Sequence, residues 1–326
     1  MRRKTKVLKK ALLALLCAAF APLALAQGYP SKPVRIIAPF GPGSTIDILG
    51  RIIAPRLHEA LGQPVIVENR AGAGGMIGMD AAAKAAPDGH TLVIGALGPL
   101  AMNPVLYPKT PFDPVKDFAA VSLLATGPVV IVVHPSVPAH TVKELVNLAK
   151  KRPGQLNFGS PGVGSSPHLT GELFKLLTGA NIVHVPYKGN AEAITDLIGG
   201  QVSIVFTGVP PVVALAKAGK VRLLATTGQQ RMPNLPAVPT IAEAGVAGAE
   251  VLIWYGVVAP AATPRDVIGR LNREIVKAMN LPDVRERFSQ QGVDPATNSP
   301  EQFAQLIRDE VARWGKVIRA AGIKVE

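Results

Sequence analysis

Two glycine-rich segments, each wedged between a short apolar run and a helical pattern, constrain this chain more than any other feature. The first reads Pro39-Phe40-Gly41-Pro42-Gly43-Ser44-Thr45, between the run Val34 to Ala38 and a helical pattern from Ile46. The second lies more than a hundred positions on and reads Gly159-Ser160-Pro161-Gly162-Val163-Gly164-Ser165-Ser166, between Leu156 to Phe158 and a helix opened by Pro167. A glycine-rich strand-to-helix turn leaves backbone N–H groups unpaired at the positive end of a helix dipole, which suits a carboxylate or a phosphate. Two such turns in separate halves of a chain can clamp one anion between two domains.

The rest of the chain repeats the same alternation, which predicts an α/β architecture with largely parallel sheets. Strands are predicted at Val34 to Ala38, Val65 to Glu68, Thr91 to Gly95, Val129 to Val133, Leu156 to Phe158, Ile182 to Val185, Ile204 to Phe206, Val221 to Thr226 and Val251 to Val258. Thr141-Val142-Lys143-Glu144 has capping-box spacing, while Thr263-Pro264 and Ser299-Pro300 add proline at the first helical position. Gly199-Gly200 ends a helix whose Ile194, Leu197 and Ile198 form one buried face. Val121 to His134 is a long apolar stretch broken at Thr126-Gly127-Pro128, and Val251 to Ala259 is a second. Two long extended segments let a chain cross into a second domain and return. They divide it into residues 27–124 plus 254–326 and residues 125–253.

The formal charge of +13 is concentrated at one end. Six lysines and arginines precede the apolar run Ala11 to Leu25 and the small-residue site Ala24-Leu25-Ala26, the pattern of a cleaved secretory signal over residues 1–26. Lys-Thr-Lys after Arg2-Arg3 departs from a twin-arginine motif, and Leu16 before Cys17 is too bulky for a lipobox. Without the leader 29 basic residues face 22 acidic ones. Cys17 is the only cysteine, so the processed chain has no disulfide, thiol nucleophile or cysteine metal site.

Several chemistries fail on spacing. Gly159 and Gly164 have the gap of a P-loop, yet Ser165 stands where lysine is needed. No G-x-S-x-G elbow occurs, and the six histidines show no metal-ligand spacing. In Gly72-Ala73-Gly74-Gly75-Met76-Ile77 the third glycine of a dinucleotide fingerprint falls on Ile77. Aromatic residues are 5% of the chain and basic ones are dispersed, which argues against a nucleic-acid platform. No cofactor is predicted. Asp47, three residues after Ser44, has a capping-box role, closing onto the Ser44 N–H. Ser166 reads as a helix cap and His168 as a helix-face residue; the alternative is that Ser160, Ser165, Ser166 and His168 line a pocket as donors.

Taken in order, these segments resemble the Bug-type solute-binding receptors of tripartite tricarboxylate transporters over the whole chain. The resemblance rests on Tyr29-Pro30-Ser31-Lys32-Pro33, the first glycine loop, Val67-Glu68-Asn69-Arg70-Ala71-Gly72-Ala73-Gly74-Gly75, Pro87-Asp88-Gly89-His90, the second glycine loop with Pro167-His168-Leu169, Val185-Pro186-Tyr187-Lys188-Gly189, Gly199-Gly200-Gln201-Val202 and Val238-Pro239-Thr240-Ile241. It implies a two-domain periplasmic-binding-protein fold of the Venus-flytrap type with a small carboxylate between the domains. Carried over by position, the ligand contacts are Phe40, Gly43, Ser44, Thr45, Ser160, Gly164, Ser165, Ser166, His168, Tyr187 and Thr207. The implied partners are the carboxylate and the transporter's membrane components, for a periplasmic, monomeric, non-enzymatic protein. Thr207 replaces a usual aspartate and Ala96-Leu97-Gly98-Pro99-Leu100 is unusually apolar, which favours an apolar or aromatic carboxylate over a hydroxylated one. The competing functions are a ligand sensor that presents the carboxylate to a signalling partner, and a secreted hydrolase using Ser165 or Ser166 with His168.

Overall fold

The computed structural model describes residues 28–320. The leader, its cleavage site before Gln27 and Cys17 lie outside the described residues. The β-branched runs all become strands, alternating with helices. The first part of the chain gives β1 (Val34–Ala38), α1 (Thr45–Leu61), β2 (Val65–Asn69), α2 (Met76–Ala83), β3 (Thr91–Ala96), α3 (Asn103–Leu106) and β4 (Phe118–Val133). The middle gives α4 (Val142–Lys151), β5 (Leu156–Ser160), α5 (Ser166–Thr178), β6 (Ile182–Pro186), α6 (Asn190–Ile198), β7 (Ile204–Gly208), α7 (Val213–Lys217) and β8 (Arg222–Thr226). The chain returns through β9 (Leu252–Pro260), α8 (Arg265–Met279), α9 (Pro282–Gln290), β10 (Asp294–Pro295) and α10 (Pro300–Ala320).

The strand order is β2-β1-β3-β9-β4-β7-β5-β6, so β4 belongs to two halves. It pairs antiparallel with β9 from Phe118↔Pro260 to Pro128↔Leu252, and then with β7 from Val129↔Gly208 to Val133↔Ile204. Thr126-Gly127-Pro128 is therefore no break. The strand continues and its partner changes after Pro128, which has no N–H to give a ladder. The parallel expectation holds for β1, β2 and β3 and for β5, β6 and β7. It fails for β4 and β9, the antiparallel crossing strands.

Helix ends follow local chemistry. The Glu144 N–H donates to Thr141 Oγ1 at 3.1 Å while the Glu144 carboxylate accepts the His140 N–H, and Ser299 with Gln302 repeats the arrangement before α10. Thr141→Ala is expected to lower stability by about 1 kcal/mol, read as a shifted urea midpoint at unchanged slope. Two expectations are corrected. Pro264 occupies the cap position of α8 and not its first turn. Ile198 is 41% exposed, because Ile194 and Leu197 alone point into the core. The larger core, to which neither belongs, is aromatic in the second half, where Phe206 meets Phe158 edge-on at 5.4 Å and Phe174 at 5.8 Å.

Candidate ligand-binding cleft

The carboxyl ends of β1, β3, β5 and β7 converge, the location where parallel α/β sheets present ligand sites. Between them lies a narrow cleft of about 30 Å³ in this closed form. Phe40, Ser44, Thr45, Ile46, Ala96 and Pro99 line one side, and Pro161, Ser166, Pro167, Asn190 and Gly208 the other, with Ile253 and Tyr255 of β9 at the floor. The two sides touch through glycines. A Cβ on Gly189 would stand 3.1 Å from Gly41 N, one on Gly98 2.9 Å from Ser166 N, and one on Gly74 would overlap the Val163 carbonyl. The Tyr107 hydroxyl donates to that carbonyl at 3.2 Å. The halves are thus closed on each other, and only residues without a side chain permit it.

Three helix N-termini face the cleft. In α1, Ser44 is the N-cap and its Oγ accepts the Asp47 N–H at 3.3 Å. The Asp47 carboxylate accepts the Gly43 N–H at 2.9 Å, not the expected Ser44 N–H, which donates to Gly41 O instead. Gly43, at φ 74°, turns its N–H toward that carboxylate. Arg51 and Asn69 hold the other carboxylate oxygen at 2.9 and 3.0 Å, so the Asp47 charge is engaged away from the cleft. In α5 the cap is Ser165, not Ser166: its Oγ accepts the His168 N–H and donates to Gly162 O at 2.7 Å. Pro167 at the second helical position shifts the cap back by one residue and leaves Ser166 facing the cleft. The third, α6, begins after Gly189 with no side-chain cap.

Polar atoms without partners gather where these helices meet. Asn190 Oδ1 and Thr207 Oγ1 are buried and find no hydrogen bond among the described residues, and Thr45 Oγ1 has only the Tyr255 hydroxyl beside it. Such groups are costly unless something else satisfies them. A Cβ on Gly208 would stand 2.6 Å from Thr45 Oγ1 and 3.2 Å from the Tyr255 hydroxyl, so α1, β7 and β9 come together at one point. Burial pushes the Tyr255 phenol pKa up, keeping it a neutral donor. Among the described residues no lysine, arginine, histidine, aspartate or glutamate lines the cleft. Asn190 escaped the sequence reading; the uncapped Gly189 before a helical pattern was the available signal.

The remaining candidates stand behind this surface. Ser160 Oγ lies 2.7 Å from His184 Nε2, and His168 Nδ1 accepts the Gly164 N–H at 3.3 Å. Burial, then Lys175, pushes His168 down to about 4; burial, then His168 and Lys175, pushes His184 down to about 3. Tyr187 donates to Asp196 at 2.7 Å and covers Gly159 with its ring. The structure therefore brings Phe40, Ser44, Thr45 and Ser166 to the cleft wall, with Thr207 next to Gly208. Gly43 and Gly164 shape the loops, and Ser160, Ser165, His168 and Tyr187 spend their polar atoms on neighbours.

The family model for the tripartite tricarboxylate transporter family receptor, TctC, matches residues 49–323. Protein BugT of Bordetella pertussis is 40% identical over 302 residues, covering 92% of this chain and 93% of that protein. The periplasmic binding protein BugD superposes with a TM-score of 0.88 at 32% identity, covering 91% of this chain and all of that one. A Rhodopseudomonas palustris protein with adipate gives 0.88 at 38% identity, covering 91% of this chain and 99% of that one. MatC of the same organism, with bound malate, gives 0.85 at 33% identity over 89% of this chain and 100% of that one. The chain has the two-domain periplasmic-binding-protein fold and belongs to the TctC family of tripartite tricarboxylate transporter receptors.

Proposed function

We propose that this protein captures a small carboxylate in the cleft, in the periplasm and as a monomer, and delivers it unchanged to the membrane components of a tripartite tricarboxylate transporter. The lobes are residues 27–124 with 254–326 and residues 125–253, hinged through β4 and β9. The observation that carries the reading is the convergence of three helix N-termini on a cleft that, among the described residues, no charged side chain lines. Each N-terminus acts as about half a positive charge. Three of them offset more than one carboxylate while leaving an ammonium group without a partner. Phe40, Ile46, Ala96, Pro99 and Ile253 give the ligand's carbon chain an apolar wall. Relatives of similar fold are bound to adipate and to malate, and the wall favours the former type.

A thermal-shift series over adipate, malate, citrate and benzoate, followed by calorimetry, tests this. At a hundred times its dissociation constant a true ligand raises stability by about 2.7 kcal/mol, and adipate is expected to bind more tightly than citrate. No response to any carboxylate would refute the proposal. Recovering a converted ligand would favour the hydrolase reading, against which stand the engaged Ser165 hydroxyl and the His168 Nδ1 turned to Gly164. Capture of a signalling protein in place of the transporter's membrane subunits would favour the sensor.

A further inference from the structure

The glycine loop between β5 and α5 is held from behind by two histidines that do not line the cleft. His168 Nδ1 accepts the Gly164 N–H at 3.3 Å. His184 Nε2 stands 2.7 Å from Ser160 Oγ, which itself accepts the Gly162 N–H at 3.3 Å. The two rings lie against each other with centroids 4.2 Å apart, and His184 also packs on Phe158 at 4.8 Å. An imidazole that accepts at Nδ1 carries its proton on Nε2 and is neutral. The Ser160 hydroxyl has two acceptors in reach, His184 Nε2 at 2.7 Å and Gly162 O at 3.4 Å. Donation along the shorter contact puts the His184 proton on Nδ1, whereas donation to Gly162 would put it on Nε2; the latch uses the first arrangement. Each ring thus spends a lone pair on the loop.

The carboxylates on the elements packed around the pair are engaged elsewhere: on α6, Asp196 accepts the Tyr187 hydroxyl at 2.7 Å and Glu192 the Lys188 N–H at 3.1 Å. β5 and β7 carry no ionisable side chain, and β6 carries only His184. On α5, Glu172 is engaged by Lys175 at 2.9 Å, and the Lys175 ammonium lies 6.0 Å from the Phe158 ring centroid. Burial first, and then this lysine, hold His168 down to about 4.

We propose that His168 and His184 are positioning residues of the clamp: as neutral rings they latch the loop Gly159–Ser165 in the shape that presents the α5 N-terminus to the cleft, and proton uptake by the pair unlatches the loop and releases the ligand. A proton on His168 Nδ1 turns an acceptor into a donor facing the Gly164 N–H, and one on His184 Nε2 does the same to Ser160. In an unlatched loop the rings reach water and regain ordinary values near 6.5. The folded values lie below that, so the latch is complete above pH 6.5 and weakens as pH falls toward 4. Each proton taken up costs about tenfold in the latched population per pH unit across that window.

The ligand half of this proposal rests on the receptor reading above; the loop half does not. The loop half is tested by imidazole NMR and by amide exchange at Gly162 and Gly164 between pH 7.5 and 4, on the full processed chain. His168→Asn places Oδ1 where Nδ1 was and cannot titrate; His184→Gln does the same at Nε2. His168→Leu removes the acceptor. The Leu variant is expected to lose Gly164 protection at least tenfold at pH 7, while the Asn/Gln double variant keeps it down to pH 5. Between pH 7 and 5 wild-type affinity for adipate should fall at least tenfold more than that of the double variant, a comparison that cancels the ligand's own titration. Unchanged Gly164 protection in the Leu variant, or equal pH slopes in the two proteins, overturns the proposal. Should the Leu variant not fold, the wild type decides: Gly164 must follow the His168 ring titration, and an amide indifferent to it refutes the latch. Failure of adipate to bind at all would count against the receptor reading alone.

Discussion

Gly74→Ala is expected to lower adipate affinity by about a hundredfold or more, about 2.7 kcal/mol, although Gly74 does not line the cleft. Gly74 belongs to the loop after β2 and lies against the other lobe, where an added Cβ would overlap the Val163 carbonyl. The obstacle is backbone and cannot swing aside as a side chain would. Its φ of 61° adds strain, because a Cβ in the left-handed region costs about 1–2 kcal/mol. The variant should fold with slightly reduced stability and fail to close. Calorimetry beside small-angle scattering separates these effects: wild-type protein is already compact or becomes so with adipate, while Gly74→Ala stays extended. Wild-type affinity in the variant would mean that the lobes need not meet at this point.

The second large effect has opposite signs in the free and bound protein. Thr207→Val deletes a buried hydroxyl that has no partner among the described residues, so the ligand-free protein should keep its stability or gain up to about 1 kcal/mol, and Thr45→Val, which gives up only the Tyr255 hydroxyl beside it, should cost little. Binding should suffer, since a hydrogen bond to a charged oxygen contributes about 1.5–3 kcal/mol, or about ten- to a hundredfold in affinity. Ser165→Ala provides the contrast. Its hydroxyl caps α5 and donates to Gly162, so its loss should cost about 1 kcal/mol of stability. Urea unfolding with and without adipate gives both quantities. A Thr45→Val protein that is destabilised yet binds normally would show that the hydroxyl serves the fold.

Much of this molecule is legible in its sequence because local chemistry decides it. The β-branched runs at Val34 to Ala38 and Ile204 to Phe206 become strands, and Thr141 with Glu144 caps a helix, since each depends on residues within a few positions. The two glycine loops predict the cleft for the same reason. What escaped depends on partners far along the chain. Gly127-Pro128 reads as an interruption, yet β9 and then β7 pair on either side of it and keep the strand intact. Ser165 and Ser166 are equivalent caps by composition, and only the turn of the helix selects between them. His184 is an ordinary strand residue until β6 is laid beside β5, which brings it to Ser160. Asn190 follows an N-cap glycine that has no side chain to flag the site, and its unpaired side-chain oxygen emerges only in the packed structure.

The crystal structure of the protein grown with adipate tests the central claim most directly. The account predicts a carboxylate between the N-termini of α1, α5 and α6, its oxygens about 3 Å from the amide of Ser166 and the hydroxyl of Thr45, with the carbon chain against Phe40 and Ile253. Adipate bound elsewhere, as in the groove of Gln229 to Asn234, or a carboxylate that accepts from neither the Ser166 amide nor the Thr45 hydroxyl, would contradict it.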